Sequence, residues 1–305
     1  MELNLTNSII LFLCIITLSC IFLSSNNKNT NKAIVIGSGL AGSAAALTIL
    51  ESGGSVVMME KQDYTGGNSS KASSGINGSY TKTQQSLNIK DSLEQYKKDT
   101  IKSTNRKGEP YNTLVNTLVS NTSSAIDWLQ NKNVNLNSVA ILGGHTNART
   151  HRPDSNVLAG IEIISKLTTE LNKYSRLTII KNTTVISLLK ESNKVVGVSY
   201  QTNNEPIKNM YSNVVVLATG GYANDHSNTS LLYKHRPELK HLPTTNSSAT
   251  TGDGVKMGML IGALTRDLNE IQVHPTGFID PDDKTNKTKV LCAEVVRGIG
   301  AILVN

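Results

Sequence analysis

Two hydrophobic periods alternate along the chain. Ala33-Ile34-Val35-Ile36 is a short unbroken apolar run, the pattern of a strand buried on both faces. A glycine turn and an Ala-rich segment from Ala41 to Ser52 follow, and Gly53-Gly54 supplies a helix stop. A second run, Val56-Val57-Met58-Met59, completes a strand, helix, strand unit. Parallel pairing of its two strands requires such a crossover.

From Asp91 to Leu129 apolar residues recur at helical spacing, as Leu114 with Leu118, Val115 with Val119, and Ala125 with Leu129, which predicts two peripheral helices. A further amphipathic helix is predicted from Val157 to Leu171, with Ile161, Ile164, Leu167 and Leu171 on its core face. Val/Ile-rich strands are predicted over Leu177–Ile180, Thr184–Leu189, Val195–Tyr200 and Val214–Ala218, the last of them buried. Trp128, the single Trp, falls on a predicted helix and reads as a core anchor. The expected fold class is α/β: a Rossmann-like domain with a central parallel sheet and added β-strands.

Composition adjusts this picture at three points. A length of 305 residues with 38% apolar residues suffices for one large or two modest packed domains. The net charge of +7 suits a phosphate-bearing cofactor or a small anion, whereas scattered Lys residues and only 4% aromatics argue against nucleic acid. Cys14 and Cys20 lie in the apolar leader, so Cys292 alone remains in the body and no internal disulfide framework exists there. No Cys-x-x-Cys-His and no metal-ligand cluster is present, so electrons must arrive from an external donor.

Ser8 to Leu23 is an almost continuous apolar run, short for a membrane span and of signal-peptide length. Residues 1–25 are therefore expected to be a signal peptide or an anchor associating with a membrane through residues 8–23, with 26–32 as a linker. That predicts the secretory pathway, the endoplasmic reticulum or a membrane-anchored location. A mitochondrial location is the alternative, disfavoured because the first 27 residues hold no Arg or Lys.

Gly37-Ser38-Gly39-Leu40-Ala41-Gly42 sits between the first strand and the first helix. In that context Gly37 permits the tight turn, Gly39 lets backbone approach a pyrophosphate, and Gly42 lets the helix pack closely. The helix amino terminus offers N–H groups and a favourable dipole to phosphate. Glu60 ends the second strand at the distance expected of an acid accepting hydrogen bonds from ribose hydroxyls, which favours an unphosphorylated adenine dinucleotide, FAD or NAD. The small-residue stretch from Gly66 to Asn77 separates the two, because such a loop can lie against a flat isoalloxazine and a nicotinamide enzyme has no need of it.

On these residues the chain resembles the fumarate reductase and succinate dehydrogenase flavoprotein family, in its soluble branch. Gly66–Asn77 is similar to the family's second flavin motif, and Ser69 stands where membrane-bound members attach flavin to a His, so the resemblance implies non-covalent FAD. Gly143–Pro153, Ala218-Thr219-Gly220-Gly221 and Thr251-Gly252-Asp253-Gly254 resemble further family segments, and the likeness runs from Ala33 to the last residue. The implied cofactor contacts are Gly37, Ser38, Gly39, Ala41, Gly42, Glu60, Lys61, Gly67, Asn68, Ser69, Ala72, Ser73, Gly75, Ile76, Asn77, Val185, Ala218, Thr219, Gly220 and Asp253. Asp253 could equally cap a helix predicted from Val255 to Ala263.

For substrate, His274-Pro275-Thr276-Gly277-Phe278 and Ala293-Glu294-Val295-Val296-Arg297-Gly298 carry the resemblance. It implies that His274 holds a carboxylate of a small dicarboxylate such as fumarate or succinate, while Glu294 and Arg297 relay protons. The scheme it implies is an FAD-binding domain at 33–272 and the start of a capping domain at 273–305. Fumarate would be reduced to succinate by hydride from reduced flavin, with the family's proton-donating Arg and remaining carboxylate ligands expected beyond Asn305. On that expectation the isolated chain turns over fumarate poorly. The alternatives are another flavin dehydrogenase or oxidase, such as aspartate oxidase, and a flavin-binding protein without catalysis.

Overall fold

The computed structural model describes residues 31–104, 106, 108–274 and 276–292. Its elements in chain order open with β1 (Lys32–Ile36), α1 (Leu40–Glu51), β2 (Ser55–Met59) and β3 (Ile76–Asn77). Next come α2 (Lys82–Ser86), α3 (Leu93–Thr104), α4 (Tyr111–Gln130), β4 (Ser138–Ala140), β5 (Thr150–Arg152) and α5 (Ala159–Leu171). Then follow β6 (Leu177–Ile180), β7 (Thr183–Glu191), β8 (Lys194–Thr202), β9 (Lys208–Tyr211) and β10 (Val215–Leu217). The last are α6 (Leu231–His235), α7 (Asp253–Leu260), β11 (Gly277–Phe278) and β12 (Val290–Leu291).

The central sheet is parallel throughout, in the order β10-β1-β2-β6. Its apolar runs are continuous because both faces are covered. Alternate residues Val35, Val56 and Met58 join one core with Leu47 and Leu50 of α1, Ile126 and Leu129 of α4, and Ile163, Leu167 and Leu171 of α5. Their neighbours Ile34, Ile36, Val57 and Met59 form a second core with Val185, Leu188, Val198 and Met257, beneath the antiparallel β7-β8-β9 meander. The two-residue side-chain period thus sorts one run into two layers. Each fully buried Leu or Ile there contributes roughly 1.5–3 kcal/mol.

Helix α1 ends as the glycines demand. Gly53, at φ +89°, and Gly54 donate to the carbonyls of Leu50 and Ile49, the two bonds of a Schellman motif. The expected α/β class with added strands is what the chain forms, with differences in detail. Leu114 and Leu118 face outward, Leu114 being 59% exposed, while Val115, Val119, Ile126 and Leu129 turn inward. Ile161 is 48% exposed and Ile163 takes the core position expected of it, because at 3.6 residues per turn Ile161 lies about 120° round the helix from Leu167 and Ile163 only about 40°. The strand expected to be buried over Val214–Ala218 is shorter and half-exposed, since among the described residues β10 pairs only with β1. Trp128 packs against the helical core, with Lys132 Nζ 4.5 Å from its ring. Strand β9, flanked by polar turns, carries no alternation strong enough to have been predicted.

No helix among the described residues is long and apolar enough to cross a membrane. The run Ser8–Leu23 lies outside the described residues, as do Glu294, Arg297 and the apolar end Ile299–Asn305.

Candidate functional site

The site is built at the carboxyl ends of β1, β2 and β10. Gly37 leaves β1 at φ +99°, donates to the Met59 carbonyl at 2.8 Å, and a Cβ there would meet the Ala218 carbonyl oxygen at 2.4 Å. Gly42 is tighter, since a Cβ would lie 1.9 Å from the Gly37 carbonyl oxygen. Only glycine at both positions lets α1 start directly on the turn.

Glu60 closes the turn from β2. Its Oε2 accepts from the Ser38 backbone N–H at 3.0 Å and from Ser38 Oγ at 2.5 Å, and its Oε1 accepts from the Gln62 N–H at 2.9 Å. A carboxylate has about four acceptor sites, so one remains for a ligand hydroxyl. The loop after β2 is fastened to the same turn: Gly66 N–H donates to Ser38 Oγ at 3.1 Å, and Ser69 Oγ accepts from the Leu40 N–H at 3.0 Å. Ser69 therefore presents its hydroxyl to the first turn of α1, where N–H groups lack helical partners and phosphate is favoured.

These elements wall a cleft of about 580 Å³. Of the residues predicted for the cofactor, Gly37, Ser38, Gly39 and Ala41 line it from the turn, Glu60 and Lys61 from the end of β2, and Gly67, Asn68 and Ser69 from the loop. Val185 lines it from β7, with Ala218, Thr219 and Gly220 after β10 and Asp253 at the start of α7. Gly42 lies behind the turn. Ala72, Ser73, Gly75, Ile76 and Asn77 continue the loop beyond the cleft, where Ser73 Oγ is buried without a hydrogen-bond partner.

Asp253 does not cap α7. Gly252 holds the N-cap position with no side-chain cap bond, and the Asp253 carboxylate instead pairs with Lys61 Nζ at 2.9 Å and accepts from Thr251 Oγ1 at 2.7 Å. Lys61 Nζ also donates to Thr251 Oγ1 at 2.8 Å, so a loop and a helix far apart in sequence meet at the cleft. Sequence reading missed Thr183, Thr184, Ser247 and Thr250, which line the same space. No local motif marks them; Asn68 brings in two, its Nδ2 donating to Thr250 Oγ1 at 3.0 Å and its Oδ1 accepting from the Ser247 N–H at 2.9 Å.

His274 stands apart from the cleft lining, on the loop leading to the β11-β12 hairpin, with Nδ1 2.9 Å from the Thr276 carbonyl oxygen. A phosphate cradle, an acid for a ribose and a small-residue loop therefore share one cleft, while the candidate substrate residue is separate.

The family model described as FAD binding domain matches residues 32–305. The chain belongs to that family. FAD is thus the cofactor, and the residues present fit it: first-turn N–H groups for the diphosphate, Glu60 for the ribose and the small residues Gly67, Asn68 and Ser69 along the loop. This FAD-binding chain is 43% identical over 286 residues to a fumarate reductase of Schizosaccharomyces pombe, covering 91% of the chain and 55% of the relative. It is 40% identical over 279 residues to fumarate reductase 1 of Saccharomyces cerevisiae, covering 89% and 58%. Among solved structures, the open conformation of a flavocytochrome c3 fumarate reductase superposes with a TM-score of 0.81 at 30% identity, over 93% of this chain and 48% of that one. The chain spans about half the length of the relatives it matches.

Replacing Glu60 by Gln leaves one oxygen where two accept, so an N–H of the turn or of Gln62 loses its partner. FAD affinity of Glu60→Gln should fall about tenfold. Titration of FAD fluorescence quenching measures this, and unchanged affinity would remove Glu60 from the site.

Proposed function

We propose that this chain forms the cofactor-holding half of a fumarate-reducing flavoenzyme, with FAD bound non-covalently, a small dicarboxylate as substrate and electrons from an external donor. The observation that carries it is Glu60 Oε2 gathering both the N–H and the hydroxyl of Ser38 at the glycine turn, which fixes an adenosine-diphosphate seat beside the Gly66–Asn77 loop. Identity of 40–43% to two fumarate reductases supports the substrate class. Ser69, standing where the family resemblance puts a flavin-bonding His in membrane-bound members, supports non-covalent attachment.

Bound FAD supplies hydride chemistry. The chain's own residues would hold and orient it: the α1 amino terminus would meet the negative phosphates, while Lys61 is kept beside the cleft by Asp253 and Asn68 ties the loop to Ser247 and Thr250. His274 belongs to the substrate end in this reading, and its separation from the cleft lining matches a dicarboxylate standing beyond the flavin. The apolar run Ser8–Leu23 supports delivery to the secretory pathway or a membrane.

Purified protein should be yellow and release its flavin on acid precipitation. Fumarate-dependent oxidation of a reduced viologen dye, measured on this chain and on a longer version extended with the S. pombe sequence beyond the matched region, tests the substrate. Activity in the longer form, lost with His274→Ala, is the expected result. Flavin that stays with the precipitated protein, or a longer form that ignores fumarate, would defeat the proposal.

A further inference from the structure

The loop from Gly66 to Asn77 carries small side chains and little core of its own, yet it must hold one position if it is to face a flavin ring. Its support comes from behind. Ile76 and Asn77 pair antiparallel with His151 and Thr150 of β5, and the Gly78 N–H donates to the Arg149 carbonyl at 2.9 Å. Thr150 Oγ1 donates to Asn77 Oδ1 at 2.7 Å. The contact is close enough that a Cβ on Gly75, at φ +136°, would lie 2.4 Å from the His151 carbonyl oxygen.

Strand β5 is in turn fixed by polar groups that water does not reach. Arg149 and His151 are both 0% exposed. The Arg149 guanidinium lies between two carboxylates, with Nη2 2.7 Å from Asp91 Oδ1, Nε 2.9 Å from Asp91 Oδ2 and Nη1 2.5 Å from Asp99 Oδ2. It also stacks 4.7 Å over Tyr96. His151 Nδ1 is 2.9 Å from the Arg149 carbonyl, so that nitrogen carries the proton, and Nε2 is left to accept from Thr81 Oγ1 at 2.7 Å. Burial pushes the imidazole below its ordinary value, consistent with this neutral tautomer. Thr81 is itself held, as N-cap of α2 in a reciprocal capping box with Gln84. Gln84 Nε2 then donates to both Asp91 and the Ala148 carbonyl.

A buried ion cluster adds little net stability over a well-packed apolar one, so net stability alone does not account for this one. We propose that Arg149 and His151 are positioning residues for the flavin: with Asp91, Asp99 and Thr81 they form a buried brace that sets where the loop ending at Asn77 stands against the ring. None of the five lines the cleft. The inference rests on the FAD reading for its consequence and on the loop contacts for its geometry.

The test uses the full chain with His151→Leu, which removes both imidazole hydrogen bonds, and Thr81→Val, which removes the hydroxyl bound to His151 and with it the α2 cap bond from the Gln84 N–H. His151→Asn, whose amide can still reach the Arg149 carbonyl, is the conservative comparison. Amide hydrogen exchange at Ile76 and Gly78, whose N–H groups face β5, should accelerate at least about tenfold in the first two variants, while Ile34–Ile36 of β1 stay protected. The visible circular dichroism of bound FAD should change, and His151→Asn should recover part of the wild-type band. Lower melting temperature with unchanged exchange at Ile76 and Gly78 and an unchanged flavin spectrum would overturn the proposal, leaving a merely structural cluster. Wild-type protein that takes up no FAD would refute the cofactor reading, and the brace is then judged on amide exchange alone.

Discussion

Gly42→Ala is expected to abolish flavin binding and to destabilise the fold. Glycine to alanine inside a helix ordinarily gains about 1 kcal/mol, because glycine loses more backbone freedom on folding. Here the added methyl would stand 1.9 Å from the Gly37 carbonyl oxygen, which belongs to the turn and not to a flexible side chain. Either α1 retreats from the turn or the turn opens. Retreat separates the first-turn N–H groups from the phosphate seat, and opening breaks the Ser38 bonds to Glu60. Overpacking against backbone costs roughly 1–3 kcal/mol, so the sign of the effect reverses. Thr48→Ala, exposed on the same helix, is the control and should leave both properties near wild type. Chemical denaturation and flavin absorbance of the purified protein measure the pair. A Gly42→Ala protein as yellow and as stable as wild type would mean that helix and turn do not meet as described.

The glycine turn and Glu60 were legible because each is a local consequence of one covalent requirement. A residue at φ +99° beside a neighbouring strand, and an acid at the end of the next strand, leave marks at fixed spacing. The parallel sheet was legible for a related reason: runs buried on two faces have no polar alternation. Where only one helix face is buried, the spacing of Leu114 and Leu118 is equivalent to that of Val115 and Val119, and nothing local says which pair turns inward. Tertiary packing decides it, and it chose the Val pair. Thr183, Ser247 and Thr250 were invisible for a stronger reason. They are ordinary polar residues that acquire meaning only when β7 docks at the end of β2, where the Thr183 N–H donates to the Glu60 carbonyl, and when the loop before α7 folds back onto Asn68.

The Arg149 cluster shows the same limit from another side. Gly143–Pro153 could be recognised as a segment, but Asp91 and Asp99 lie on a stretch whose helical spacing concerns apolar residues, and their burial follows from three elements meeting. Removing the cation gives the second large effect. At neutral pH, Arg149→Met should cost about 3–5 kcal/mol, since two carboxylates then remain in an interior that had paired them. The pH dependence separates this from simple loss of packing. In the wild type, burial raises the Asp91 and Asp99 carboxyls, but hydrogen bonds, including those from Arg149, outweigh it and hold both below the usual carboxylate range. A depressed acid contributes stability that is present above its unfolded value near 4 and is lost as pH falls through the folded one. Without Arg149 its part of that lowering is lost while the bonds from Asn147, Gln84, Ser92, Thr146 and Gln95 remain, so both carboxyls take up protons at higher pH in the folded variant than in the folded wild type. The stability gap between wild type and Arg149→Met should narrow as pH falls through the carboxylate range, from about 5 downward, as read by urea denaturation at each pH. A constant gap would assign the loss to packing and free the two carboxylates of any electrostatic role.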